Sequence, residues 1–153
     1  MSETTTIEGT ILAVCIGPGG IPKHAVPEAR ATSNGLVGDK QRFRMHGGAK
    51  RALCLFSSGD YASLRRDGVA CEQPGSFGEN VLVEGIDFKL LLPLERLALG
   101  DEVEIELHDV REPCGTLKSV DARFPNLMLG RSGFVCRVLR EGLLRPGMRV
   151  RRA

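Results

Sequence analysis

Apolar residues along this chain fall into short runs separated by polar stretches rich in glycine and proline, a pattern that predicts many short strands and few helices. Residues 7–16 form a mostly apolar, β-compatible run stopped by Gly17-Pro-Gly-Gly20, so a first strand is expected there, followed by a loop reaching to about Ala25. Residues 51–56 read as a buried strand. Ser57 or Ser58, with Asp60 and Tyr61, then open a short helix that ends near Gly68 and turns Tyr61 and Leu64 inward. Further strands are expected over 80–84, 96–99 and 102–110. In the last of these Val103, Ile105 and Leu107 alternate with Glu104, Glu106 and His108, giving one apolar and one wet face. Leu99-Gly-Asp-Glu102 supplies the turn before it. Residues 134–139 and 148–151 read as two closing strands joined around Arg145-Pro-Gly147. Short strands with one or two helices describe a mainly β fold, a barrel or a sandwich whose loops carry the chemistry.

At 153 residues, 42% of them apolar, the chain is expected to form one domain over residues 1–153 with a core of its own. The N-terminal stretch lacks the basic start and apolar run of a signal peptide, and no apolar stretch has the length of a membrane span. A cytoplasmic location without membrane attachment is therefore expected. A net charge of +2 does not call for nucleic acid, and one Tyr with no Trp equips a base-stacking surface poorly. The chain is nevertheless basic from Arg131 onward, where Arg137, Arg140, Arg145, Arg149, Arg151 and Arg152 face the single acid Glu141. That stretch either meets an anionic ligand or is a solvated strand and tail.

Candidate chemistry gathers in two glycine-rich polar segments and one thiol. Gly75-Ser-Phe-Gly-Glu-Asn80 puts a hydroxyl, a carboxylate and an amide beside a sharp bend, and Gly38-Asp39 with His46-Gly-Gly48 and Lys50 offers a second such segment. Brought around one pocket, Ser76, Glu79, Asn80, His46 and Lys50 supply the donors, acceptors and cation that hold a polar heterocycle with a phosphate tail. Of the five cysteines, Cys15, Cys54 and Cys136 lie in apolar runs and read as reduced core residues. Cys114 follows Pro113 and is flanked by Arg111 and Lys118, cations that favour the thiolate, the form that attacks sulfur and ligates soft or high-valent metals. A structural cysteine after a turn is the plainer reading of the same residue. Cys71 lies in a loop-like, exposed-looking stretch, but its charged neighbours Asp67 and Glu72 disfavour ionisation. Neither a zinc-ligand spacing, a nucleotide phosphate loop nor a serine nucleophile elbow is present.

Taken in order, Gly35-Leu-Val-Gly-Asp39, His46-Gly-Gly48, Gly75-Ser-Phe-Gly-Glu-Asn80 with Gly85, Gly100-Asp101 and Arg111-Glu-Pro-Cys114 resemble the MOSC domain family, named for the C-terminal domain of molybdenum cofactor sulfurases. The C-terminal Gly133-Phe-Val-Cys-Arg-Val-Leu139 and Arg145-Pro-Gly-Met-Arg-Val150 look like its compact stand-alone bacterial members. The resemblance implies a β-barrel with one or two short peripheral helices, and a functional thiol at Cys114. That thiol would hold sulfur as a persulfide or bond molybdenum of a pterin cofactor, Arg111 and Lys118 stabilising its thiolate. Expected partners are the cofactor or a small-molecule substrate, together with a pyridoxal-phosphate cysteine desulfurase or a redox partner. Members that reduce N-hydroxylated compounds commonly carry a further N-terminal β-domain for which this chain has no length, and Met45 stands where many relatives have a histidine. A module that binds a small anion or a protein without turnover is the alternative of another class.

Overall fold

The computed structural model describes residues 7–19, 21–40, 52–111, 121, 123 and 130–153. Its strands are β1 (Glu8–Ile16), β2 (His24–Val26), β3 (Ala29–Thr32), β4 (Gly35–Leu36), β5 (Leu53–Ser57), β6 (Val81–Glu84), β7 (Arg96–Leu99), β8 (Val103–Val110), β9 (Phe134–Arg140), β10 (Gly142–Leu144) and β11 (Arg149–Arg152), with one helix, α1 (Ser58–Arg66), and a 3₁₀ turn at Phe88–Leu90. The main sheet runs β11-β7-β8-β9-β5-β6-β1-β2, and an additional β11–β1 pairing closes seven of these strands into a barrel. The mainly β, barrel-type architecture expected from the sequence is therefore present.

The alternation in β8 does what the pattern predicts: Val103, Ile105 and Leu107 are buried while Glu104, Glu106 and His108 are half-exposed. In β1, β5 and β6 both faces are covered, so their apolar runs are nearly continuous. Val14, Leu53, Leu55, Val81 and Val83 fill the barrel core, whereas Ala13, Cys15, Phe56 and Leu82 point into a second cluster with Tyr61, Leu64, Val69, Cys71 and Phe77. α1 builds that second cluster on the outside of the barrel. It connects β5 to β6, which pair in parallel (Leu55 with Val81) and so need a crossover rather than a hairpin. Its start is fixed by Ser57, whose hydroxyl accepts from Gly59 N at 3.1 Å, with Asp60 in the first turn and Arg65 and Arg66 in the last.

The loop after Gly17-Pro-Gly-Gly20 ends where expected, at β2, which starts at His24, but the pattern did not predict the short strands that follow or the three-stranded sheet β10-β3-β4. One sequence expectation needs correcting: residues 134–139 and 148–151 are not joined by one turn, because β10 intervenes, leaving the barrel to pair with β3 (Leu143 with Arg30). These strands span two to four residues and bury alanines and glycines, too little apolar contrast for period-two patterning to register.

Candidate functional site

The bend between Gly75 and Gly78 is tied to the barrel on three sides. Gly78 N donates to Gly75 O at 2.9 Å, closing a tight turn with φ of 87° at Gly75 and 77° at Gly78, backbone that glycine adopts without strain. Lys23 N donates to Gly75 O at 2.8 Å, and a Cβ on Gly75 would stand 2.1 Å from Lys23 O, so no larger residue fits there. Phe77 drops its ring into the second core, 5.3 Å from Phe56 and 4.9 Å from Tyr61 between centroids. Ser76 stays part-exposed and its hydroxyl donates to Gln73 O.

Glu79 and Asn80 turn inward and hold the bend from behind. Glu79 is 0% exposed; its Oε2 accepts from the Tyr61 hydroxyl at 2.5 Å and from Gly75 N at 3.1 Å, and the Tyr61 oxygen in turn accepts from Ser76 N at 3.1 Å. Burial, with the Glu79 carboxylate beside it, pushes the Tyr61 pKa up, so this hydroxyl stays a donor. Tyr61→Phe keeps the ring but strands Ser76 N and one Glu79 contact, and a loss of about 1–3 kcal/mol is expected. A denaturant midpoint equal to that of the parent would contradict this role.

Asn80 continues both neighbouring ladders. Cys15 N donates to its carbonyl at 2.7 Å and its N–H donates to Cys54 O at 2.9 Å. The side chain adds another rung on each side: Oδ1 accepts from Cys54 N at 3.0 Å, and Nδ2 donates to Cys15 O at 3.2 Å and to Asp39 Oδ2 at 2.9 Å. Only an amide offers a donor and an acceptor in this geometry, and both amide hydrogens are spent inside the protein.

Asp39 joins this network to Lys23, a residue the sequence reading did not single out. Lys23 Nζ donates to Asp39 Oδ2 at 2.9 Å with the two side chains 5% and 3% exposed, and Gly17 N donates to Asp39 Oδ1 at 3.0 Å. A lone lysine in a Gly- and Pro-rich loop carries no pattern that would have marked it as buried.

Arg111 connects the end of β8 to the bend. Its N–H donates to Gly133 O at 2.9 Å, its carbonyl accepts from the Ser132 hydroxyl at 2.6 Å, and its Nη2 donates to Phe77 O at 2.6 Å. Nη1 is buried and has no hydrogen-bond partner, as is Glu79 Oε1. Cys54, read from sequence as core, is only half-buried and lies against Arg111; burial raises its pKa, with the Arg111 charge the largest opposing influence. Cys15 and Cys136 are buried as expected, and burial, with Glu79 next in weight, pushes the Cys15 thiol up to about 12. Cys71, expected to be exposed, is instead fully buried against α1, its thiol donating to Tyr61 O at 3.8 Å, because residues 67–71 fold under the helix rather than away from it. Cys114, Lys118, His46 and Lys50 lie outside the described residues.

The arginines of the C-terminal stretch are largely engaged at the surface. Arg149 pairs with Glu8, Arg152 with Glu95 at 3.2 Å, and Arg131 with Asp67 at 2.6 Å, and β11 is a barrel strand rather than a tail.

Comparison with known proteins decides the family, since the sequence profile of the MOSC domain matches residues 42–151. This chain belongs to the MOSC domain family. A relative from Gibberella moniliformis (strain M3125 / FGSC 7600), named "Reductase", is 27% identical over 124 residues, which is 76% of this chain but 22% of that protein. This MOSC domain thus spans about a fifth of the length of the relative it matches. Among solved structures, the YuaD protein from Bacillus subtilis superposes with a TM-score of 0.75 at 19% identity, covering 95% of this chain and 96% of that one. YiiM from Geobacillus stearothermophilus superposes at 0.78 and 22% identity, covering 95% and 75%, and YiiM from Escherichia coli at 0.73 and 22%, covering 94% and 69%. These likenesses place the fold. Family membership points to molybdenum-cofactor-related chemistry. Among the described residues, no helix is long and apolar enough to cross a membrane.

Proposed function

We propose that this MOSC domain binds a molybdenum-pterin cofactor and keeps the metal, or sulfur destined for it, on the thiolate of Cys114. The observation that best supports the reading is the bond from Arg111 Nη2 to Phe77 O, which ties the start of Arg111-Glu-Pro-Cys114 to the glycine bend. Arg111, three residues before Cys114 in the sequence, is thereby anchored at the bend.

The residues present fit such a group. A buried guanidinium nitrogen without a partner suits an anionic acceptor, and the part-exposed Ser76 oxygen, on the same bend, keeps free lone pairs. Ser76, His46, Lys50 and Arg111 would hold the polar and phosphate parts, while Glu79 and Asn80 keep the bend in shape behind them. Arg111 and Lys118 would favour the ionised thiol of Cys114. When bound, the cofactor supplies a metal centre able to exchange electrons and oxo or sulfido ligands. As a sulfur carrier, the Cys114 thiolate would attack the sulfane sulfur of a donor persulfide. The donor's S–S bond breaks, its thiolate leaves, and the new persulfide remains on Cys114. The donor would be a pyridoxal-phosphate cysteine desulfurase in the cytoplasm, and a redox partner would replace it if the domain acts in reduction of N-hydroxylated compounds.

Metal analysis and oxidised-pterin fluorescence on freshly purified protein test this directly. Cys114→Ser is expected to lose molybdenum, and equal metal in both proteins would refute ligation by that thiol. For the carrier form, incubation with a desulfurase and cysteine should add about 32 Da, removable by reductant, on Cys114. No adduct and no metal together would end the proposal.

A further inference from the structure

We propose that the turn at residues 92–95, with Leu90 beside it, is the surface through which two copies of this chain associate. Leu94 is the one non-glycine residue with a positive φ among the described residues, at 73°. The backbone asks for glycine at this position twice over. Glu95 N donates to Leu92 O at 3.2 Å, closing a turn with Pro93 in second place and the positive φ in third, the type II arrangement whose third place favours glycine. Leu94 N then donates to Leu107 O at 2.6 Å while Leu107 N donates to Glu95 O at 2.9 Å, so Leu94 and Glu95 together face one residue of β8, in a bulge whose first position is again glycine's. A leucine at this φ crowds its β-carbon against the following carbonyl oxygen. Leu94 is 68% exposed, so packing within the chain does not offset that crowding.

Leu90 and Leu92 are 47% and 63% exposed and Pro93 is exposed between Leu92 and Leu94, whereas Phe88 and Leu91 are buried in the barrel core and pin the run. Lys89 N donates to Asp87 Oδ1 at 3.0 Å and Leu91 N to Phe88 O at 3.2 Å, so the leucines are presented on ordered backbone. Together they offer on the order of 400 Å² of apolar surface, a size at which a patch on a soluble domain marks a contact. With the polar rim that surrounds such a centre, which is about two-thirds apolar in homodimers, each copy would cover roughly 600 Å², the lower end of what specific dimers bury. The flanking charges carry both signs, Asp87 and Asp109 with Lys89 and Arg96, all exposed. A two-fold contact sets one surface against itself, where flanks of a single sign repel and mixed flanks pair. An anionic lipid surface is matched by cations instead. Val110, three residues past Leu107 on β8, is 49% exposed and Arg111 follows it directly, so the contact adjoins the strand end that leads into the candidate site.

A contact of this size dissociates in the micromolar range, and the test is sedimentation velocity on the purified full chain from low to high micromolar concentration. Flotation with vesicles of phosphatidylcholine and phosphatidylglycerol runs beside it. The parent is expected to pass from monomer to dimer across the series. Leu92→Asp brings a charge into the centre of the contact and should raise the dissociation constant at least about tenfold. Val37→Asp, at a residue 60% exposed beside β4, should leave it unchanged. Leu94→Gly separates this role from a structural one. It should weaken the dimer about tenfold, while the denaturant midpoint of the dilute, monomeric protein stays level or rises because glycine takes this φ freely. A parent that stays monomeric throughout, an equal effect of Val37→Asp, or a Leu94→Gly midpoint below the parent's overturns the proposal. Vesicle binding by a monomeric parent, abolished in Leu92→Asp, would assign the turn to a lipid surface and overturn it as well. None of these readouts involves metal or sulfur at Cys114.

Discussion

Replacing Asp39 with Ala is expected to destabilise the domain by about 3–5 kcal/mol, the usual cost of leaving one partner of a buried ion pair alone. Lys23 and Asp39 are 5% and 3% exposed and 2.9 Å apart, so the stranded ammonium cannot recover its hydration without opening the loop that carries it. That loop is held to the bend by the bond from Lys23 N to Gly75 O, and Asp39 also receives Gly17 N and Asn80 Nδ2. One truncation thus orphans three donors. Lys23→Met should cost less, because the remaining carboxylate keeps two N–H donors. The double variant Lys23→Met with Asp39→Leu should regain part of the loss, though not all, since Gly17 N and one of the two Asn80 amide hydrogens stay unpaired. Denaturant midpoints at constant slope measure these differences. An Asp39→Ala midpoint within error of the parent would show that the pair is solvated and the network unimportant.

How far the sequence could be read follows from the physical range of each signal. The barrel strands were legible wherever apolar and polar residues alternate over a full strand, as in β8, or run continuously beneath α1, as in β5. The turn at Gly100 and the capped start of α1 at Ser57 were legible because local chemistry decides them. β2, β3, β4 and β10 were not. They are short, and long-range pairing rather than their own composition makes them strands. At the site, the bend at Gly75 and Gly78 was readable from the glycines, but the direction of each side chain was not. Glu79 and Asn80 look like ligand groups in a list of residue types, yet Tyr61, on another element, and the ladders of β1 and β5 draw them inward. Cys54 and Cys71 exchanged expectations for the same reason. In one case a single position within a buried strand is left half-covered, and in the other a polar stretch folds beneath a helix.

The buried thiols carry the second large effect, an alkaline loss of stability. Burial raises the pKa of Cys15 to about 12 and moves those of Cys54, Cys71 and Cys136 in the same direction, while Tyr61 is raised by burial and by Glu79. In the unfolded chain these thiols ionise near their ordinary value, about 8.5 to 9. Between that value and the raised one, the folded state therefore binds more protons than the unfolded state. Stability then falls as pH rises; their contribution is fully present below about pH 8.5 and is lost progressively toward pH 12. For Cys15 alone the loss is about 2 kcal/mol by pH 10.5, at roughly 1.4 kcal/mol per pH unit past the unfolded pKa. The midpoint of denaturation is accordingly expected to be level from pH 7 to 8.5 and to drop steeply by pH 10.5. Cys15→Ala should start lower, because a buried sulfur is lost, and then decline less steeply. A midpoint that holds to pH 10.5, or a Cys15→Ala slope equal to the parent's, would mean that these thiols reach water in the folded protein.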